Sequence, residues 1–548
     1  MFNSDRFKND IHDSGDNACG NSTDAFRQYR APRVHGESFV EPALECVPET
    51  LERNRRLLGT YGANFDSLRQ RARKQLIKDA LQYTSAYRDV SWFDLSKLDD
   101  QEVTPIIMAG HQPAIFHPGV WFKNFSLSHL AKQTGAIAVN LVIDNDVSPG
   151  SSIRVPIFDE TDSRATYQAI PYDTAGGGVP YEQTEIRDRT AFDSFGHRVA
   201  DAIKPLVAAP CVPEFWQHAI AAVERCGIAG CALAQARHGL EGELGLQTLE
   251  LPLGVVCRST AFAEFALSVL SELPRFHRCY NDAADHYRKA HGIRSSAHPV
   301  PNLTEGDEWF EAPFWIYGND SPQRRPAWAK MSGDHLVIGD RENRELKVDL
   351  SFPKLAAEQL ANLVSPDFKL RPRALMTTMF ARLVLSDLFL HGIGGGKYDQ
   401  LNDRIIESFF AMSPPTFMVI SATVQLPGTE PIDFDTEIRR LKRAIRDTHY
   451  QPERFADRVD LSPSLLQAKQ DLLVKVPERG NRVDWTVELK QVNAKLSQEL
   501  ESLRSDFQSE LASTLQQSAS QTLMSSREHP FCIYPLDYLT KTFADLLR

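Results

Sequence analysis

Three polar clusters interrupt apolar stretches of this chain, and each holds groups able to bind an ion or move a proton. The first is Gly110-His111-Gln112-Pro113, followed closely by His117 and Lys123. The second is Asp144-Asn145-Asp146. The third is His391-Gly392-Ile393-Gly394-Gly395-Gly396-Lys397-Tyr398-Asp399. Imidazole and ammonium groups supply positive potential to an oxygen gaining charge, and a carboxylate accepts a proton from an attacking amine. A glycine-rich loop lets backbone amides approach an anion, and a helix starting after it adds its dipole. This loop is not a Walker A motif, because His391 stands at the leading glycine and Tyr398 where Ser or Thr must bind magnesium. Nor is it a dinucleotide fingerprint, since Lys397 replaces the third glycine. A tight turn that lets two backbones pack remains the plain structural reading.

The first two clusters follow from the elements around them. Val103–Ala109 is an apolar run of strand length. Phe122, Phe125, Leu127 and Leu130 mark one face of a helix. Ala136–Ile143 is a second apolar run, ending in the acids. Strand, helix and strand make a βαβ unit, whose ligands sit beyond the carboxyl ends of the strands. His111 and Asp144 are therefore expected on one edge of a parallel sheet. Further on, Gly254–Arg258 reads as a core strand leading to a helix capped by Ser259 or Thr260. Ala374–Leu390 reads as a buried helix or helix plus strand, Leu401–Phe410 as a helix after the glycine loop, and Pro414–Val424 as a β-rich closing segment.

Composition bounds the rest. A chain of 548 residues exceeds one compact core, so several domains are expected. The net charge of −11 argues against nucleic acid as the default partner, because binding phosphates needs a basic surface. No run of eighteen apolar residues occurs, so no membrane partner is expected. Met1–Asp24 is polar and unlike a signal peptide; the eight cysteines hold no Cys-x-x-Cys pair, and the closest two, Cys226 and Cys231, read as buried apolar residues of a reducing compartment. The expected location is cytoplasmic. The expected fold class is α/β. The organisation reads as a disordered 1–35, a helical 36–100, a core in two parts (101–160 and 366–425) around an inserted α+β region at 161–365, a helical 426–520, and a tail, 521–548, packing back on the core. Pro48–Tyr87 reads as a helix pair with a solvated basic side. Leu489, Val492, Leu496, Leu500, Leu503, Phe507 and Leu511 read as one long helix, with an eleven-residue rather than a strict heptad repeat. A hairpin folded on itself and a homodimer seam both stay open for it.

The order of these motifs resembles the bacillithiol biosynthesis cysteine-adding enzyme family. The resemblance is carried by Gly110-His111-Gln112 with its Pro-containing loop and Lys123, by Asp144-Asn145-Asp146, by Arg371-Pro372 with Gly395-Gly396 and Asp399, and by Pro414-Pro415 ahead of a β run, a basic helix and a coil. It covers about half the chain. Ile143 and Asn145 stand where the family has Glu and His in its acidic cluster, and Lys397-Tyr398 replaces Pro-Gly. The resemblance implies a Rossmann-like parallel-sheet core with inserted segments and a C-terminal helical coiled-coil domain. It also implies a ligase that forms an amide between an amino acid such as cysteine and an amino-sugar conjugate.

Such a reaction builds negative charge on oxygen and consumes a neutral amine. His111, His117 and Lys123 are the expected source of positive potential, and Asp144 or Asp146 the proton acceptor. Gln112, Arg371, His391, Gly394, Gly395, Gly396, Lys397, Tyr398 and Asp399 are the expected substrate-binding residues. No metal ligand set is assigned, because the spacing fits no standard zinc pattern. The cofactor stays open, with a nucleotide as the candidate, and the partner is a small-molecule substrate. A non-catalytic binding or scaffold protein of the same fold is the alternative.

Overall fold

In chain order the strands are β1 (Glu37–Glu41), β2 (Ile106–His111), β3 (Ile137–Val142), β4 (Ser152–Asp159), β5 (Arg164–Pro171), β6 (Leu249–Pro252) and β7 (Glu305–Gly306). They continue as β8 (Trp309–Tyr317), β9 (Arg325–Ser332), β10 (His335–Gly339), β11 (Glu345–Asp349), β12 (Lys369–Pro372), β13 (Leu388–His391) and β14 (Met418–Thr423). This computed structural model describes residues 26–98, 104–159, 164–174, 176–293, 300–363, 365–429, 432–478 and 480–548. The disorder expected of residues 1–25, and Val103 as the start of the first strand, lie outside the described residues. The chain divides into two compact units: one runs through Val155, Ala169–Val424 and Arg527–Arg548, and the other is Pro156–Gln168 with Gln425–Ser526.

The first unit is mixed α/β with a parallel-sheet core. Its central sheet has the order β1-β14-β13-β2-β3-β6. All neighbours are parallel except the edge strand β1, which runs antiparallel to β14. β3 and β14 are buried at every position, as strands covered on both faces must be. Counted along the chain, the five parallel strands lie in the order third, second, first, fourth, fifth. The order reverses between β2 and β13, which places a crevice at their carboxyl ends.

The helices of this unit begin with α1 (Val47–Leu58), α2 (Ala63–Ser85), α3 (Pro118–Thr134), α4 (Arg189–Ile203), α5 (Val212–Cys226), α6 (Ala229–Glu243) and α7 (Leu253–Val256), of which α1, α2 and α3 pack on the central sheet. α8 (Thr260–Leu270), α9 (Leu273–Ala290), α10 (Pro353–Ala361), α11 (Ala374–Phe380) and α12 (Ile393–Ile405) follow. α3 starts where the His117 imidazole accepts from Gly119 N, with Pro118 in its first turn, and stops at left-handed Gly135. A second, antiparallel sheet, β11-β10-β9-β8-β12, is formed from the inserted region and β12. Tyr29, within the stretch 1–35, is 2% exposed and packs with Phe417 and Val419.

Several expectations are corrected. The core strand expected at Gly254–Arg258 is β6, a few residues earlier, because Leu253–Val256 turns into α7; Ser259 does cap α8 by accepting from Phe262 N at 3.1 Å. The basic side of the first helix pair is only partly solvated. Arg69 and Arg73 of α2 are buried and both bind Asp387, at 3.0 and 2.8 Å. Cys226 and Cys231, expected to be buried, are part-exposed at the ends of two helices, and Cys46 is in a disulfide.

In the second unit, α13 (Asp435–Tyr450), α14 (Pro463–Val474), α15 (Val483–Glu499) and α16 (Glu501–Met524) surround a small core of Leu461, Leu496 and Leu500. The single long helix expected through Leu489–Leu511 is broken: Leu500 leaves helical geometry at ψ 11° and separates α15 from α16. The last helix, α17 (Leu536–Leu546), belongs to the first unit, where Phe543 packs against Trp121, Phe122 and Phe125 of α3. Among the described residues no helix is long and apolar enough to cross a membrane.

Asp387 also accepts from Ile106 N at 2.8 Å, so one carboxylate anchors α2, β2 and the start of β13. Asp387→Ala leaves two buried guanidiniums without their acid and should cost about 3–5 kcal/mol. Urea denaturation checks it, and a loss below about 1 kcal/mol would remove this anchor from the account.

Candidate functional site

His111 ends β2 opposite Val142 of β3, so the first two clusters do meet at one sheet edge. The direct link is Gln112, whose amide donates to Asp146 Oδ2 at 2.8 Å. Asp146 also receives Arg324 at 3.1 Å, and Arg324 lies over the Trp315 ring. Asn145, between the two acids, donates to Pro372 O at 2.8 Å and ties this edge to β12.

His111 turns away from the acids. Its Nδ1 lies 3.0 Å from Gln112 O and its Nε2 3.2 Å from Asn124 Oδ1. Asn124 in turn donates to Glu241 Oε1 at 2.7 Å, which fixes the amide with its oxygen toward the ring. Glu241 also receives Arg237 and Trp121, each at 2.8 Å, and Arg237 continues to Glu250. Burial, with the charges of Arg237 and Lys123, pushes the His111 pKa well down. A neutral His111 donates through only one of its two nitrogens, although both face acceptors.

Lys123 reaches back from α3 to donate to Gly110 O at 2.7 Å. Burial, aided by Arg237, brings its pKa down to about 7. Its charge is felt by both His111 and His391, so it lies near the point where the strand order reverses. His117 is spent on capping α3, and burial lowers its pKa to about 4 against the opposing charge of Glu528.

Asp144 faces a cavity of about 510 Å³ at the carboxyl ends of β3 and β6. Its Oδ1 accepts from Gly254 N at 3.0 Å. Glu182 borders the same cavity and accepts Arg371 Nε and NH2 at 2.9 and 3.1 Å, with Tyr317 donating to it as well. Burial and the neighbouring Glu182 raise the Asp144 pKa to about 7, while Arg371 opposes. Burial would raise Glu182 too, but its two-point pairing with Arg371 brings it below the usual carboxylate value. The site thus has one carboxylate locked ionised and a second balanced near neutrality. Lys369, Arg258, Tyr83, Cys231 and Cys257 are also in the lining, and Phe262, Leu360 and Leu370 are among its apolar walls.

The glycine cluster is not a loop. Gly394, Gly395 and Gly396 form the first turn of α12, with Gly392 as its extended cap. A side chain at Gly396 would meet Val419 of β14 at 2.5 Å, and one at Gly395 would meet His391 at 2.8 Å, so close packing accounts for both. Gly394 has open space. Asp399 is buried and accepts Arg382 at 2.6 Å and His391 at 3.1 Å. Burial would raise its carboxyl, yet Arg382 and His391 hold it far below the usual range. Lys397 and Tyr398 lie half-buried along α12, with Tyr398 beside Tyr287.

The structure thus joins Gln112 to Asp146 and places Asp144 and Arg371 on one cavity, while His111 and Asp144 share a sheet edge and make separate hydrogen bonds. Sequence reading missed Glu182, Asn124 and Glu241. Among the described residues no cluster of three or more His, Cys, Asp or Glu is arranged to hold a metal ion. Compared with known proteins, the chain matches no family model and no curated protein.

Two outcomes follow. Gly394→Ala should stabilise the protein by up to about 1 kcal/mol through helix propensity, whereas Gly396→Ala should destabilise it; thermal melts of both variants test this, and equal effects would count against the packing account. The second concerns pH. The folded state keeps a proton on Asp144 from its ordinary 3.8 up to about 7, so this stabilisation is lost as pH rises through that window. Lys123 loses in the folded state a proton that the unfolded chain keeps up to 10.5, so its contribution is lost as pH falls from there to about 7. Urea melts across pH should show the acid-side slope flattened in Asp144→Asn and the alkaline-side slope flattened in Lys123→Met.

Proposed function

We propose that the protein is a small-molecule enzyme with a Rossmann-like core that joins an amine to a carboxylate-derived acyl group. The observation that supports it most is Asp144, buried against a cavity and balanced near neutral pH beside an ionised Glu182–Arg371 pair. A carboxylate so balanced can take the proton of a substrate ammonium and release it again. Arg371 and Lys369 offer charge to a substrate carboxylate, and the cavity walls exclude water from it. Lys123 and the amino ends of α3 and α12 add positive potential at the neighbouring crevice. The resemblance to the cysteine-adding family points to an amino acid such as cysteine and an amino sugar as substrates, in a cytoplasmic setting, with a nucleotide as candidate activator.

The second reading, a binding or scaffold protein, draws on the internal engagement of His111, His391 and Asp399. A thermal-shift screen against nucleotides, amino acids and amino sugars separates the two. Under the enzyme reading an amino acid and an amine acceptor each raise the melting temperature, and turnover of the pair rises with a limb near pH 7 that Asp144→Asn abolishes. Binding without turnover of any combination would favour the scaffold.

A further inference from the structure

Among the described cysteines, Cys226 and Cys231 stand apart as a neighbouring pair of free thiols. Cys211, Cys257 and Cys532 are buried, whereas Cys226 and Cys231 are both part-exposed. Cys226 is the last residue of α5, and Cys231 lies in the first turn of α6. Left-handed Gly227, at φ 67°, folds the second helix back against the first and brings the two sulfurs within hydrogen-bonding contact. Cys231 is also held by Gln235 Nε2 at 3.3 Å and lies 3.9 Å from Tyr83 Oη. Cys231, Ile228 and Gly230, together with Tyr83, form one wall of the 510 Å³ cavity.

We propose that Cys226 and Cys231 are a reversible oxidation site whose disulfide reshapes this cavity wall. A peroxide is the oxidant: the Cys226 sulfur attacks one peroxide oxygen, the O–O bond breaks, and a sulfenic acid and one water form. The Cys231 sulfur then displaces the sulfenic oxygen as a second water and closes the S–S bond. Two thiols lose two electrons and two protons to one peroxide, and a dithiol reductant reverses the step. Cys226 is suited to attack first. The hydrogen bond from Cys231 brings its pKa down to about 7, with Arg225 assisting and burial opposing. The bond to Cys226, then burial and the charge of Glu250, push Cys231 up, while Tyr83 works against them. In its protonated form the Cys226 thiol donates to Ala222 O at 3.3 Å.

This chemistry does not depend on the function proposed above. The test treats the full chain with hydrogen peroxide, maps disulfides by mass spectrometry, and follows alkylation of Cys226 by iodoacetamide against pH. A Cys226–Cys231 cross-link that dithiothreitol reverses is expected, with an alkylation midpoint near pH 7. At pH 7 the thiolate gain over an ordinary thiol, less its lower intrinsic nucleophilicity, predicts about threefold faster alkylation than in Cys231→Ala. Cys231→Ala should also turn the disulfide into sulfinic acid at Cys226. Sulfinic acid at Cys226 in the unaltered chain, or the same alkylation profile in both proteins, would overturn the proposal.

Discussion

The central strands β2 and β13 are neighbours in space although Ile106 and Asp387 stand 281 residues apart, and one carboxylate fixes where they meet. Asp387 accepts the Ile106 amide and neutralises two arginines from α2, so the amino ends of both strands and a covering helix share a single anchor. Such an arrangement is costly to form, since three charges leave water together, and is retained only where geometry is good. Its consequence appears at the opposite edge. Register set at Asp387 carries along β2 and β13 to His111 and His391, and along β3 to Asp144. The crevice is therefore positioned by an interaction at the far end of the sheet.

Where local pattern dominates, the sequence was legible. β2 and β3 are continuous apolar runs because both faces of a parallel sheet are covered, and their parallel pairing puts Gln112 and Asp146 in contact. The helix α3 shows its cap and its stop in the residues Pro118 and Gly135. Glu182 was not legible, because it sits on a short turn with no apolar period and acquires its role only when β12 brings Arg371 to it. The glycine run misled for a related reason. Glycine marks both loops and helices that must approach another backbone, and only the position of Val419 beside Gly396 separates the two. At Leu500 the apolar spacing continues unbroken across a helix end, so periodicity alone reports one helix where there are two.

Burial sets the chemistry of the site more than proximity does. Lys123 and Asp144 both move toward neutrality, the lysine down and the carboxylic acid up, because each is removed from water with little compensating charge. Glu182, part-buried, and Asp399, fully buried, show the contrary case: both stay ionised because an arginine binds each directly. The contrast distinguishes groups able to exchange protons from groups held as fixed charge. Asp399, in the most crowded polar cluster of the sequence, belongs to the second kind.

The two ends of the central sheet are closed in different ways. At one end β1 covers β14, and the chain turns away at Pro42 after Glu41. At the other, the Thr84 hydroxyl receives Glu250 N at 3.0 Å and lies 3.3 Å from Glu250 O, occupying the free edge of β6, which ends in a proline without an amide proton. An uncovered strand of this kind is a template for pairing with another chain. At the β6 edge both backbone groups of Glu250 are thus occupied by Thr84, while β1 forms the opposite edge. Thr84 thereby removes one residue's amide and carbonyl from what this edge could offer another strand.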